Sequence, residues 1–319
     1  MTGCNNESES IDKQEYEKSN LLSIHAGPAI HANLTRNAID TDTFPENTVI
    51  AIFVTGKKYV RQTAYYTLNK KVWQQPVASR IYINKDTATV YGFYPANATL
   101  LPLEEDSLHK IQIRIAKTDT LFTHYKQTDY MYATGTYDET VKKYPLSKVA
   151  YRENEVNVAN LFFHHALSQI ALVINKTEDY KGTGKITRFE LRSTKENAFR
   201  VGKGSLTLNE GTIALPDTCT RLIFTGDTAI VNAYAATPSK QVLISRLIPP
   251  MDNLNGISLH FTIDGTQMHI ALPVNPVAKW EQGKKYTYTL YLNNSDLTFD
   301  SFILSDWINQ VVSPISIIM

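Results

Sequence analysis

The chain has 319 residues, enough for about two domains at roughly 150 residues each. Its 32 lysines and arginines nearly balance 31 aspartates and glutamates, which argues against a nucleic-acid-binding protein and against an acidic tail protein. Hydrophobic residues make up 43% and can form a sizeable core, but no apolar run approaches the roughly 18 residues of a membrane-spanning helix. Two cysteines allow at most one disulfide, which excludes a disulfide-rich scaffold.

The first twenty residues predict a disordered tether, because they are polar and mostly charged from residue 5 onward. The small residues Thr2 and Gly3 precede Cys4, as at the end of a bacterial lipoprotein signal. We therefore expect lipid attachment at Cys4 in a mature or trimmed product, with a chance cysteine as the alternative. A lipidated Cys4 leaves Cys219 unpaired, so we expect no disulfide.

Beyond the tether, apolar residues recur with a period of two, which predicts strands. Residues 22–34 alternate in this way and predict a long half-buried strand, where Pro28 is tolerated only at an edge or a bulge. Shorter stretches at 111–115, 206–215 and 286–292 have the same pattern. Residues 156–169 are the best helix candidate, with a lead into a buried strand as the alternative. Many short strands between turn signals predict antiparallel β-sandwiches.

One hairpin has a register that the sequence alone predicts. The turn signal Asp264-Gly265 pairs apolar residues on one face and polar residues on the other, with His260 opposite His269. Two imidazoles side by side suit a metal, but they lack a third ligand, so we expect a solvated polar face and no metal site.

Motifs of catalysis are absent from the sequence. It contains no HExxH, GxSxG or GxGxxG, and residues 182–185 predict a turn rather than a phosphate loop. His164 and His165 point to opposite faces of a strand, so they cannot share a ligand. We expect no enzymatic activity and no cofactor.

Several stretches resemble one family in both pattern and order. They are Thr35-Arg36 with Phe44 and residues 49–54, Trp73 with residues 90–95, residues 129–135 with 163–170, and residues 283–290 with Ile303 and Trp307. Together they are similar to the fimbrillin-like family, the pilin subunits of surface fimbriae in anaerobic Gram-negative bacteria.

The resemblance implies an all-β fold of two consecutive antiparallel, transthyretin-like β-sandwiches, at residues 21–158 and 159–319. It also implies export as a lipoprotein to the cell outer membrane and assembly into a fimbrium (pilus) by donor-strand exchange. In that scheme an arginine-specific protease removes the first strand, here by cutting after Arg36, and a strand of another subunit fills the groove. Such a groove presents unpaired backbone and apolar surface, and a donated strand satisfies both.

The implied partners are other fimbrial subunits, the protease, and glycans or proteins of host or bacterial surfaces. The membrane is reached through the lipid anchor only, and no nucleic acid is bound. The alternative function is a non-polymerising surface lipoprotein that binds glycans on exposed aromatic side chains; a β-sandwich glycosidase is a third class. Val311, Ile315, Ile317 and Met319 share a parity, which fits either a short donor strand or an ordinary last strand.

Overall fold

A computed structural model describes residues 21–28, 44–59, 63–103, 108–120, 122, 127–152, 157–275, 277–306 and 315–316. The predicted tether at residues 1–20 lies outside this part of the chain. The described residues contain strands, turns and one short 3₁₀-helix, Val77–Ser79, and no α-helix, so the all-β prediction is confirmed. None of these residues forms a helix of the length and apolarity that a bilayer crossing requires.

The strands number twenty-two among the described residues. In chain order they are β1 Ser23–Pro28, β2 Val49–Thr55, β3 Thr63–Asn69, β4 Val72–Gln74, β5 Ala88–Tyr94, β6 Lys110–Ile115, β7 Thr118–Asp119, β8 Met131–Thr134, β9 Ser147–Val149, β10 Val158–His165, β11 Ser168–Lys176, β12 Lys185–Ser193, β13 Phe199–Thr207, β14 Ile213–Ala214, β15 Asp217–Cys219, β16 Arg221–Ile230, β17 Ile244–Ile248, β18 Ile257–Ile263, β19 Thr266–Ala271, β20 Lys284–Leu292, β21 Leu297–Asp306 and β22 Ile315–Ser316.

The chain forms two compact units that interleave along the sequence. The first takes the described residues within Met1–His109, Met131–His164 and Thr207–Gly211, and the second takes the remainder. The segment Met131–His164 belongs to the first unit, and the second unit continues from His165. The sequence predicted the limit between the domains at residue 158. The limits 21–158 and 159–319, and the description of each domain as a transthyretin-like sandwich, stay predictions.

The first unit is built on one eight-stranded sheet, in the order β1-β10-β8-β5-β2-β3-β4, with β9 pairing β5. Strand β2 lies inside this sheet, between β5 and β3, and is apolar on both faces. Successive side chains of a strand point in opposite directions, and on β2 the side chains of both faces are buried. Ile50 and Ile52 enter the main core on one side. On the other side the Phe53 ring stacks on Tyr91 at a centroid distance of 4.9 Å.

The second unit contains two five-stranded sheets and a smaller one. Their orders are β17-β11-β20-β21-β22, β19-β18-β12-β16-β7 and β14-β13-β15, with β6 on β13. Arg246 of β17 is buried, pairs with Asp119 of β7, and lies over the Phe224 ring of β16 at 4.7 Å. The two larger sheets therefore face each other, as the layers of a sandwich do.

Two features of the fold, one element and the direction of three strand pairs, differ from the sequence expectation. The helix candidate at 156–169 is wrong for its described residues, which form β10 and the start of β11, so the alternative of a buried strand holds. Three ladders, β1–β10, β11–β20 and β16–β7, are parallel, where the sequence predicted antiparallel pairing. Parallel partners lie far apart along the chain, and alternation of apolar residues carries no information on strand direction.

Candidate functional site: the seat of β1 and the histidine row

The predicted processing and anchoring residues, Arg36 and Cys4, lie outside the described residues. Of the predicted strand at 22–34, residues Ser23–Pro28 form β1, and residues 29–34 lie outside the description. Cys219 is described; it is free and buried, and burial raises the pKa of its thiol.

β1 lies at the edge of the first unit's sheet and has β10 as its only strand partner there among the described strands. The two strands are parallel, from Ser23 opposite Val158 to Pro28 opposite Phe163. Pro28 therefore occupies an edge strand, as the sequence predicted, where its missing amide hydrogen interrupts no central ladder.

One face of β1 is buried in the main core of the first unit. Leu22 is 0% exposed and Ile24 is 5% exposed, and both belong to the same apolar cluster as Ile81 of the segment before β5. Ala26 packs at the margin of this cluster. Ser23 and His25 alternate with these residues, and the His25 ring is exposed. The predicted parity is confirmed for the described part of the strand.

The main chain of β1 is held by side chains as well as by β10. The Tyr66 hydroxyl and the Gln75 side-chain amide both donate to the Leu22 carbonyl, each at 3.1 Å. The Trp73 indole N–H donates to the Ala26 carbonyl at 2.9 Å. We name Tyr66, Trp73, Gln75, Ile81 and β10 the seat of β1.

Backbone donors complete the seat at the start of the strand. The Leu22 amide donates to the Ile81 carbonyl, and the Ser23 amide to the Asn157 carbonyl, both at 2.9 Å. Gln75 also accepts from the Ile81 amide at 3.3 Å, so its amide group links the two segments. Apart from the bond between Gln75 and Ile81, each of these hydrogen bonds is made to the backbone of the occupying strand and not to its side chains.

The seat is positioned by the β3–β4 hairpin. Alternation along β3 turns Tyr66 into the core, where burial raises the pKa of its hydroxyl, so the group keeps its proton for donation. Trp73 lies on β4, and its ring meets Phe44 edge-on at 5.6 Å. The arrangement has no nucleophile or acid–base pair; it is suited to holding an extended segment.

The C-terminal strand is described at two residues only. Ile315 pairs with Phe302 and Ser316 with Ser301 of β21, in antiparallel direction. These residues therefore form an edge strand of their own unit, as in the ordinary-last-strand alternative. Val311, Ile317 and Met319 lie outside the described residues, so the donor-strand alternative is not tested by them.

The predicted hairpin at Asp264-Gly265 is confirmed in register. His260 lies opposite His269, and the two rings stack at a centroid distance of 5.0 Å. Both turn residues have positive φ, 49° at Asp264 and 82° at Gly265, as the tight hairpin turn requires.

The sequence did not predict the neighbours of these histidines. Glu190 of β12 lies directly opposite His260, and its carboxylate is 1% exposed. The Arg188 Nε–H donates to one of its oxygens at 2.5 Å, and the Arg192 Nε–H donates to the other at 2.6 Å. We name Arg188, Glu190, Arg192, His260 and His269 the histidine row.

The histidine row is electropositive and does not suit a cation. Burial lowers the pKa of His260 to about 4, and the charges of Arg192 and His269 lower it further than Glu190 raises it. The carboxylate that would complete a metal site is already bound by two guanidinium groups. No set of three metal-ligating side chains occurs among the described residues.

The adjacent histidines His164 and His165 have separate partners, as predicted. His164 exchanges a hydrogen bond with the Thr134 hydroxyl at 2.7 Å, and His165 contacts the Asp129 carboxylate at 2.8 Å. The predicted turn at 182–185 is the loop before β12, where the Asp264 carboxylate accepts from the Gly184 and Lys185 amides. Neither feature forms a ligand site.

An open cleft of about 730 Å³ lies in the first unit, at one end of β2 and β5. Tyr65, 47% exposed, and Tyr94 line it together with the amide side chains of Asn47 and Asn97. Aromatic rings beside amide groups are a combination that suits a ligand with both apolar and hydroxylated faces.

Comparison with known proteins identifies the family. The chain matches the profile described as fimbrillin-like over residues 35–307. The chain belongs to the fimbrillin-like family. No curated protein matches the chain significantly.

Solved structures share the fold of this fimbrillin-like chain at low sequence identity. A "putative cell adhesion protein" from Bacteroides ovatus has a TM-score of 0.61 and 14% identity, with 91% of this chain and 98% of that chain covered. A protein of the same description from Bacteroides uniformis has a TM-score of 0.59 and 13% identity, with 90% of this chain and 98% of that chain covered. A fimbrial protein from Bacteroides vulgatus has a TM-score of 0.52 and 13% identity, with 90% of this chain and 99% of that chain covered.

Proposed function

We propose that this fimbrillin-like chain is a subunit of a surface fimbrium or a cell-surface adhesin, and that it has no enzymatic role. The family supports the proposal, and the fimbrial and adhesion proteins named above have the same fold. A lipid on Cys4 would hold the precursor at the cell outer membrane, since small residues precede this cysteine and a charged segment follows it.

Assembly is by exchange of the first strand, and the contacts of β1 carry this proposal. β1 is an edge strand, so it can leave without breaking a ladder between two other strands. Its departure would expose one side of β10, the apolar positions filled by Leu22 and Ile24, and the donors of Tyr66, Trp73 and Gln75. A strand from a second subunit satisfies all of these groups together.

The trigger is a cut after Arg36 by an arginine-specific protease. Arg36 follows the alternating segment 22–34 and stands between the polar residues Thr35 and Asn37. Among the other arginines, Arg80 directly follows the 3₁₀-helix and Arg114 lies within β6. Strand backbone must open before a protease can bind it, and Arg80 is partly buried, so both sites should react later than Arg36.

A timed digest followed by mass spectrometry tests the trigger. We expect the first product to begin at Asn37 and expect Arg36→Ala to delay all cleavage, with Arg80→Ala as the matched control that leaves the first product unchanged. Size-exclusion chromatography of the products should show oligomers for the wild type and monomers for Arg36→Ala. A first cut elsewhere would refute the role of Arg36. A trimmed chain that stays monomeric and stable would refute strand exchange.

The second candidate function is glycan binding by a surface lipoprotein that does not polymerise. The open cleft of the first unit favours this function, because Tyr65 and Tyr94 present rings there that could stack on a sugar, beside Asn47 and Asn97. Calorimetry against a set of neutral oligosaccharides tests it. Binding should be lost in Tyr65→Ala and kept in Tyr82→Ala, a control at a tyrosine 41% exposed outside the cleft.

A further inference from the structure

The second unit has a polar sheet face with an excess of positive charge. Glu190 and His260 lie opposite each other on β12 and β18, with Arg188 and Arg192 two residues to either side of Glu190. On the other side of β12, Arg221 of β16 lies opposite Arg192, so both side chains leave the same face of the sheet. These pairings place three arginines, Arg188, Arg192 and Arg221, on the same face as the Glu190 carboxylate.

Glu190 fixes the two guanidinium groups of the histidine row. Its carboxylate is 1% exposed and accepts one Nε–H from each arginine, whereas the arginine side chains are 41% and 40% exposed. An Arg side chain has five N–H donors, and Nε uses one of them. The pairing therefore orients Arg188 and Arg192 while leaving further donors on each guanidinium that an acceptor could use.

A small pocket lies beside these groups. It has a volume of about 60 Å³ and is lined by the histidine row together with Phe261, Thr262, Gln267 and Met268. A pocket of that size holds a few water molecules, since one water needs roughly 10–15 Å³ of such space. It fits the head of a small polyatomic ion.

The charge of the site determines the sign of its ligand. Burial and, after it, the positive charge of Arg192 lower the pKa of His260, so near neutral pH its imidazole is uncharged and the positive charge of the row lies on the guanidinium groups. The Glu190 carboxylate is occupied by guanidinium groups, so a cation would gain no free carboxylate there. The His260 Nε2 lies 2.9 Å from the Ser258 hydroxyl. When Nε2 accepts from that hydroxyl, the neutral ring carries its proton on Nδ1 and can donate from there.

We propose that the histidine row binds a small oxyanion group, a sulfate, phosphate or carboxylate, through Arg188, Arg192 and the imidazoles of His260 and His269. Charge-assisted hydrogen bonds from guanidinium to oxyanion supply the attraction, and the two stacked rings line the pocket. The site is independent of the seat of β1, so it would add a ligand to the second unit whatever the assembly mechanism of the first.

Titration with sodium sulfate, sodium phosphate and sodium acetate tests the proposal, at constant ionic strength set with sodium chloride. The readout is the side-chain NMR signals of His260 and His269 in the full chain. We expect saturable shifts of both signals with at least one of the three ions, at millimolar concentration. The sulfate and phosphate arms distinguish a tetrahedral ligand from the planar carboxylate of acetate.

Two variants localise the binding. Arg192→Gln should weaken it roughly tenfold or more, because it removes a charged donor, whereas Arg200→Gln, a change at an exposed arginine on β13, should leave it unchanged. Since Arg192→Gln also leaves Glu190 with one partner, His269→Ala is the second variant; it keeps both ion pairs and should weaken binding about twofold to tenfold.

Three results would overturn the proposal: no saturable shift with any of the three ions, equal affinity in Arg192→Gln and His269→Ala as in the wild type, or zinc binding tighter than roughly micromolar that is lost in His269→Ala. The last result would assign the row to a metal instead.

Discussion

The packing of β1 predicts how much stability the first unit loses when Leu22 is shortened. Leu22 is 0% exposed and lies in the same cluster as Ile24 and Ile81, so Leu22→Ala removes buried methyl groups and leaves a cavity. Such changes cost about 2–5 kcal/mol. For a unit of roughly 150–250 residues, 1 kcal/mol shifts the melting temperature by about 2–4 °C, so the unfolding midpoint should fall by roughly 4–20 °C.

Differential scanning calorimetry of the full chain measures this shift. The matched control is His25→Ala, because the His25 ring is exposed on the same strand and the change leaves the ladder with β10 intact. We expect the control to alter the free energy of unfolding by no more than about 0.5 kcal/mol. Equal midpoints for Leu22→Ala and His25→Ala would show that Leu22 contributes nothing to the core of the first unit.

Three further predictions concern other residues. Trp73→Phe keeps an aromatic ring but removes the donor to the Ala26 carbonyl, so a trimmed chain should release a labelled peptide of residues 21–35 about twofold to tenfold faster, while Tyr65→Phe should not change the rate. His260 should titrate near pH 4 by NMR, and an NMR titration midpoint near 6.5 would contradict this. Because the folded pKa of His260 is below the usual 6.5, the free energy of unfolding should decline as pH falls from 6.5 toward 4. Cys4→Ala, expressed with its native signal, should move from the membrane fraction to the periplasm, and an unchanged distribution would exclude lipidation.

Local patterns predicted local structure well. The turn residues Asp264-Gly265 and the alternation beside them gave the register of the β18–β19 hairpin, including the pairing of His260 with His269. The alternation of residues 22–28 predicted the buried face of β1, and Pro28 predicted its place at an edge. In each case the information lies within a few residues, because a strand has a period of two and the turn fixes its phase.

Long-range pairing was not predictable in the same way. The donors to β1 come from Tyr66, Trp73 and Gln75, and the distance along the chain from Leu22 to Gln75 is 53 residues. Nothing in the sequence sets the register of β3 and β4 against β1. Arg188, Glu190 and Arg192 share one face of β12, but their position beside His260 depends on the pairing of β12 with β18.

Burial on two faces explains the failed helix candidate. Most of the candidate is β10, where Leu161 and Phe163 are buried on one face and His164 on the other, so its burial does not alternate strictly. A short apolar run of this kind cannot be assigned to a strand or a helix by periodicity alone.

Uptake of a first-strand peptide tests strand exchange most directly. The chain trimmed after Arg36 is mixed with a fluorescent peptide of residues 21–35, and fluorescence anisotropy is followed during titration, with uncut Arg36→Ala as the control. We expect saturable binding to the trimmed chain, little binding to the control, and competition between the peptide and oligomer formation. A trimmed, folded chain that neither binds the peptide nor associates with itself would exclude strand exchange for this protein.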